Sequence, residues 1–258
     1  MLEVATEDAT LYCEIDGEGE PVTVFAHGLT NSRKESAQLT QFLPGTKVRF
    51  DFRGHGRSSV PETGYHFSDF ARDLDAVAST HGATRAVGTS LGAGAICNLV
   101  ARVPDRFERL ILLFPAALDM PFEHKARFLQ TAEILETKPK DEAIAEIMAN
   151  PDRTEEYAQV PWLRELAEQM WEDVNPAGIA CAIREVIEDF AVKDREMLRA
   201  VKAPTLIISR GGDPIHPIEV GEILAEVMPN AELASFADDE EIMQAIPALI
   251  ARANELIS

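Results

Sequence analysis

Short β-rich runs alternate along this chain with segments whose apolar residues recur at helical spacing. Val22-Thr23-Val24-Phe25-Ala26 is the first such run, and it gives way to a loop at His27-Gly28. Thr46-Lys47-Val48-Arg49-Phe50-Asp51 reads as a second strand, followed by the glycine-punctuated Arg53-Gly54-His55-Gly56-Arg57. A helix is predicted over 68–79, with Phe70, Leu74 and Val77 on one side and Ser68 as N-cap. Thr84-Arg85-Ala86-Val87-Gly88 is a third strand, and the small-residue-rich stretch 93–103 is a helix suited to close packing on a sheet. The continuous apolar run Leu110-Ile111-Leu112-Leu113-Phe114 suits a central parallel strand covered on both faces. From 120 to about 200 the strand signals vanish and helical periodicity takes over, broken by Pro139, Pro151, Pro161 and Pro176. Strands return at Thr205-Leu206-Ile207-Ile208-Ser209 and Ala231-Glu232-Leu233-Ala234-Ser235. A last helix carries Ile242, Ile246, Leu249, Ile250, Ala253 and Ile257 on one face.

Strands that alternate with helices imply an α/β architecture, a mainly parallel sheet with helices on both faces. The expected organisation is a core of 1–119 and 201–258, with 120–200 inserted as a helical cap. Ligands of such sheets bind beyond the carboxyl ends of the strands. Ser90, Gly211-Gly212-Asp213 and Ala237-Asp238-Asp239 all fall at such ends.

Composition narrows the picture without choosing an activity. A chain of 258 residues can bury a sizeable core, and its 46% hydrophobic and 26% charged residues are those of a globular protein. The net charge of −20 argues against nucleic acid or an anionic membrane as partner, because both repel an acidic surface. Cys13, Cys97 and Cys181 fit no metal-ligand spacing and read as free thiols in a reducing compartment. Neither a signal peptide nor a bilayer-spanning stretch is visible, so a cytoplasmic location is expected. No metal or cofactor is expected. The expected partner is a small molecule, and homodimerisation is left open.

The chemistry centres on Gly88-Thr89-Ser90-Leu91-Gly92, a Gly-x-Ser-x-Gly string between a strand and a helix. Glycines suit that context because the serine sits on a tight strand-to-helix turn that bulkier neighbours would block. Alone, the string is also compatible with a serine that caps a helix. Taken with Phe25-Ala26-His27-Gly28-Leu29, Asp51-Phe52-Arg53-Gly54-His55-Gly56-Arg57-Ser58 and Gly211-Gly212-Asp213-Pro214, in that order, it resembles the α/β-hydrolase superfamily. The resemblance covers the whole chain apart from the helical insertion. It implies an α/β-hydrolase fold, Ser90 as nucleophile, the backbone N–H groups of Leu29 and Leu91 as an oxyanion hole, and Asp213 as the acid that orients a histidine.

One position departs from that family. The base usually follows the last strand, where this chain reads Ser235-Phe236-Ala237-Asp238-Asp239-Glu240-Glu241, and no histidine occurs after His216. Asp238 or Asp239 would be a weak base at neutral pH, and Asp238 with Glu241 has the spacing of a helix capping box. His216, three residues after Asp213, is the best-placed substitute, although His216-Pro217 also suits the start of a helix. The resemblance makes His27 and His55 structural. Even so, His27's place in the oxyanion loop puts it, with Phe128 and Trp162, among the residues expected to face substrate. Two functions stay open: a serine hydrolase of esters or related carbonyl compounds with an atypical base, or a binding protein that kept the pocket without turnover.

Overall fold

The computed structural model describes residues 2–150, 171 and 173–258. Its strands are β1 (Leu2–Ala5), β2 (Thr10–Asp16), β3 (Val22–Ala26), β4 (Thr46–Phe50), β5 (Arg85–Thr89), β6 (Arg109–Leu113), β7 (Thr205–Arg210) and β8 (Ala231–Phe236). They form one sheet in the order β1-β2-β4-β3-β5-β6-β7-β8. From β4 to β8 every pairing is parallel, whereas β2 runs antiparallel to both of its neighbours. The α/β class and the mainly parallel sheet are as the alternation of patterns predicts. The β1–β2 hairpin adds two strands at one edge.

The described helices are α1 (Ala37–Thr40), which follows a 3₁₀ turn at Arg33–Ser36, then α2 (Phe67–His81), α3 (Leu91–Arg102), α4 (Lys125–Thr137), α5 (Lys140–Met148), α6 (Pro176–Val186), α7 (Ile218–Val227) and α8 (Asp239–Ile257). Helix α2 starts two residues earlier than Ser68 as N-cap would allow. His66 is its N-cap, and the Asp69 carboxylate accepts the His66 N–H at 3.0 Å. At the other end Gly82 takes a left-handed φ of 68°, which stops the helix. Helices α4, α5 and α6 lie between β6 and β7, in the stretch where strand signals vanish. Among the described residues no helix is long and apolar enough to cross a membrane.

The period-2 alternation of the central strands divides the interior in two. Val24, Ala26, Ala86, Leu110, Leu112 and Ile207 face the larger core with α2 and α3, while Phe25, Val87, Ile111, Leu206 and Ile208 face a smaller one closed by Ala253 and Ile257 of α8. Cys13 and Cys97 are buried, and burial pushes both thiols up to about 12, which makes them inert packing groups.

Topology creates the crevice. Strand β3 is hydrogen-bonded to β4 on one side and β5 on the other, so the chain leaves β3 in one direction and returns to its opposite side. The loops after β3 and β5 therefore diverge, and the gap between them is where open α/β sheets accept ligands. Beside it, Arg53 is wholly buried: its guanidinium donates to Asp73 at 2.7 and 2.9 Å and to Asp8 at 2.9 and 3.0 Å. Asp73 is buried as well, so this pair locks the loop after β4 onto α2. Arg53→Met should leave Asp73 buried and uncompensated, costing about 3–5 kcal/mol and visibly lowering the urea midpoint. A midpoint that stays at the wild-type value would show that the pair is dispensable.

Candidate active site

Ser90 occupies the single residue between the end of β5 and the start of α3, with φ 50° and ψ −107°. A non-glycine residue rarely takes such a backbone, and here close packing imposes it. A Cβ on Gly92 would lie 2.1 Å from the Ala26 carbonyl oxygen, and one on Gly88 would lie 2.6 Å from the Gly92 carbonyl carbon. The two glycines of the motif thus let α3 approach β3 and β5 closely enough to force the turn, and the Ser90 N–H donates to the Leu113 carbonyl at 2.9 Å.

Past β7 the chain forms a compact loop before α7. Asp213 Oδ1 accepts the N–H groups of Ile215 at 2.8 Å and His216 at 3.1 Å, which curls the loop around the carboxylate. Asp213 Oδ2 accepts from Arg210 at 2.9 Å and from His216 Nδ1 at 2.9 Å. The other ring nitrogen, His216 Nε2, lies 3.1 Å from Ser90 Oγ. Burial opposes ionisation of Asp213, but the hydrogen bond and charge of His216, with those of Arg210 and the loop amides, outweigh it and hold the carboxyl well below its usual range. An ionised Asp213 fixes the tautomer with the proton on Nδ1. Nε2 is then an acceptor aimed at the serine hydroxyl, and this arrangement can take a proton from Ser90.

His216 also immediately precedes Pro217, the N-cap of α7, so its two sequence readings coincide. The loop after β8 does something else. Asp238 is exposed and caps α8 by accepting the Glu241 N–H at 3.0 Å, while Glu241 accepts the Ala237 N–H at 2.6 Å.

On the far side of the crevice, the Gly28 carbonyl accepts from His27 Nδ1 at 2.8 Å and from the Asn31 N–H at 3.1 Å. A trans peptide sets C=O and N–H antiparallel, so this clamp turns the Leu29 N–H the other way. Leu91 opens α3, and its N–H belongs to the first turn, whose amides lack acceptors within the helix. His27 itself does not face substrate as expected. It is 2% exposed, and its Nε2 accepts the Phe52 N–H at 3.0 Å, so both ring nitrogens are spent on backbone. Burial is the main cause that keeps its imidazole neutral, well below the ordinary histidine range.

Against Ser90 lies a cavity of about 50 Å³ lined by Leu29, Leu91, Phe67, Met120, Phe122, Phe128 and Ile215, among others. Phe128 is therefore where the sequence suggests, and Trp162 lies outside the described residues. A residue that sequence reasoning passed over is Glu35, whose carboxylate accepts the Gly28 N–H at 2.9 Å and is also hydrogen-bonded by Asn31, with the Thr89 hydroxyl beside it.

With this geometry in view, the chain was compared with known proteins. Residues 21–245 match the family model described as alpha/beta hydrolase fold. Over 251 residues it is 27% identical to the AB hydrolase superfamily protein YisY of Bacillus subtilis (strain 168), covering 90% of this chain and 88% of that protein. It is 29% identical over 238 residues to the bifunctional esterase/perhydrolase DCH of Acinetobacter calcoaceticus, covering 84% and 83% respectively. The structure of the enol-lactonase from Burkholderia xenovorans LB400 superposes with a TM-score of 0.78 at 21% identity, covering 99% of both chains.

The contacts of Asp213 carry a prediction. Asp213→Asn keeps an oxygen for the loop amides but loses the acceptor that holds the His216 tautomer, so reactivity of Ser90 should fall about 10⁴-fold with the fold intact. The depressed Asp213 carboxyl also contributes stability that is present above the ordinary carboxylate pKa of about 3.9 and is lost as pH falls towards its own. Urea melts from pH 5 to pH 3 should consequently show a steeper loss for wild type than for Asp213→Asn.

Proposed function

Because the chain belongs to the alpha/beta hydrolase fold family, we propose that it is a serine hydrolase acting on small carboxylic esters or related carbonyl compounds, with Ser90 as nucleophile, His216 as base and Asp213 as the acid that orients it. The observation that carries this reading is the position of His216, within hydrogen-bond reach of Ser90 Oγ and of Asp213 at once. A serine hydroxyl becomes an effective nucleophile when an adjacent base removes its proton during attack.

In this mechanism Ser90 Oγ attacks the carbonyl carbon as its proton passes to His216 Nε2. The carbonyl oxygen becomes an oxyanion held by the Leu29 and Leu91 N–H groups, each donor of this kind being worth roughly 2.7–4 kcal/mol of barrier. His216 then gives the proton to the departing alkoxide, leaving an acyl-serine. Water, deprotonated by the same imidazole, releases the acid and restores Ser90. Ionised Asp213 stabilises the imidazolium in both halves of the cycle.

The size of the cavity supports a short acyl group. At about 50 Å³ it is a fraction of the roughly 150 Å³ that holds a benzene molecule, and a neighbouring cavity of about 500 Å³, which shares Ala116, Met120, Phe122 and Ile215 with it, leaves room for the rest of the substrate. Residues 120–200 act in this reading as a cap, with Met120, Phe122 and Phe128 roofing the acyl group. The rival reading, a pocket that binds without turnover, rested on the want of a base beside Ser90, and the His216 imidazole 3.1 Å from Ser90 Oγ favours the enzyme over it.

The test is labelling by a fluorophosphonate probe, with Ser90→Ala and His216→Ala beside wild type. Wild type should label rapidly, and both variants should lose about 10⁴-fold or more. On p-nitrophenyl esters, acetate should be turned over far faster than octanoate. Wild-type labelling no faster than that of Ser90→Ala would sink the serine-hydrolase reading. A preference for octanoate would sink the short-acyl part of it alone.

A further inference from the structure

Two separate loops must be held in register for the proposed chemistry. The Leu29 amide stands on the loop after β3, and Ser90 stands on the turn after β5. These strands are hydrogen-bonded neighbours, but their ladder ends at Ala26 and Gly88, short of both groups. Something beyond the sheet has to tie the loops together.

We propose that Glu35 is a positioning residue that bridges the loop after β3 to the turn carrying Ser90, fixing the Leu29 amide relative to the serine hydroxyl. The inference rests on the serine-hydrolase reading and adds a residue to its machinery. The Glu35 carboxylate accepts the Gly28 N–H and takes a second hydrogen bond from the Asn31 side-chain amide, and the Thr89 hydroxyl beside it favours its ionised form. Gly28 directly precedes Leu29, and Thr89 directly precedes Ser90. One carboxylate therefore holds the residue before the first working group and lies beside the residue before the second. Gly28 is held between them, since a Cβ there would lie 3.2 Å from Glu35 Oε1 and 3.7 Å from Ser90 Cβ.

The base of this bridge is rigid. Glu35 belongs to the 3₁₀ turn at Arg33–Ser36, whose start is capped by the Ser32 hydroxyl. Arg33, 2% exposed, anchors that turn through its N–H to Asp51 Oδ1 at 2.8 Å, its guanidinium to Asp51 Oδ2 at 2.9 Å, and its Nε to Glu14 at 2.8 Å. The carboxylate is thus delivered from a fixed platform. Its burial is costly: desolvation pushes the carboxyl up to about 7, even though all three of these neighbours favour the ionised form. An apolar side chain would avoid that cost but would leave the Gly28 N–H and the Asn31 amide without their acceptor.

The experiment measures fluorophosphonate labelling rates, together with kcat and KM on p-nitrophenyl acetate, for wild type, Ser90→Ala, Glu35→Gln, Glu35→Leu and Thr89→Val. Glu35→Gln should rescue the bridge, because its carbonyl still accepts the Gly28 N–H. Its new NH₂ can donate to Asn31 Oδ1, which is buried without a partner among the described residues, once that amide turns over. Labelling should stay within about threefold of wild type for Glu35→Gln and fall about tenfold to a hundredfold for Glu35→Leu, with the loss in kcat and KM nearly unchanged, as a misplacement of reacting groups predicts. Where Glu35→Leu fails to fold, Thr89→Val decides, since it removes only the hydroxyl beside the carboxylate on the serine turn and should label about three- to tenfold more slowly. Wild-type rates in a folded Glu35→Leu, or in Thr89→Val when Glu35→Leu is unfolded, would overturn the proposal. So would an equally deep loss in Glu35→Gln, which would make charge rather than bridging the cause. Wild type that labels no faster than Ser90→Ala would overturn the underlying reading and this inference with it.

Discussion

The closeness with which α3 approaches β3 is the constraint on which the site depends. It is set by Gly92 against the Ala26 carbonyl and Gly88 against Gly92, contacts with no room for a methyl group. With α3 that close, the only link left between β5 and α3 is one residue in a left-handed conformation. That residue is a serine, and its strain is balanced by the cores on both faces of the sheet. The side chain is thereby held at the crevice where β3's neighbours diverge. Packing, backbone strain and the placement of one hydroxyl are here a single fact.

The second half of the site is built differently. Asp213 and His216 lie three residues apart in one loop, and the same carboxylate that orients the imidazole also curls the loop through the Ile215 and His216 amides. Their mutual geometry is consequently local and needs no long-range precision. What must be aligned at long range is only the loop as a body, and β7 does this by pairing with β6, which in turn pairs with β5. Phe114, itself at a left-handed φ of 47°, places its ring 6.2 Å from that of His216 and fills the space beside it.

Much of the fold could be read from the chain because its strands are short, apolar and separated by helices with clear periodicity. β3 coincides with its expected run, β5 and β6 are each shifted from theirs by one residue, and β7 runs one residue longer. β1 and β2 escaped notice for a physical reason: the edge strand and its neighbour are only partly buried, carry Glu3, Glu14 and Asp16, and lack a continuous apolar run. At the site, Ser90 and Asp213 stood in motifs that their turns require. The pairing of His216 with Ser90 spans 126 positions and depends on how β7 sits in the sheet, which no local pattern encodes. Glu35 carried no signal at all, since a glutamate in Arg33-Lys34-Glu35-Ser36 reads as a solvated turn. His27 was misjudged because its loop faces the crevice while its ring turns inward, where the Phe52 N–H needs an acceptor.

The loop that holds both Asp213 and His216 has a consequence for the rest of the molecule. In the proposed chemistry the junction between β8 and α8 supplies no reacting group, and its carboxylates serve the helix they begin. The final strand and helix are then answerable only to packing: β8 extends the sheet, and α8 seals the smaller core with Ala253 and Ile257. Selection on turnover and selection on folding would act on different segments of this chain. Strand β8 and helix α8 would be free to drift as far as their buried faces allow, and a remodelled β8–α8 junction could be tolerated without retuning the serine.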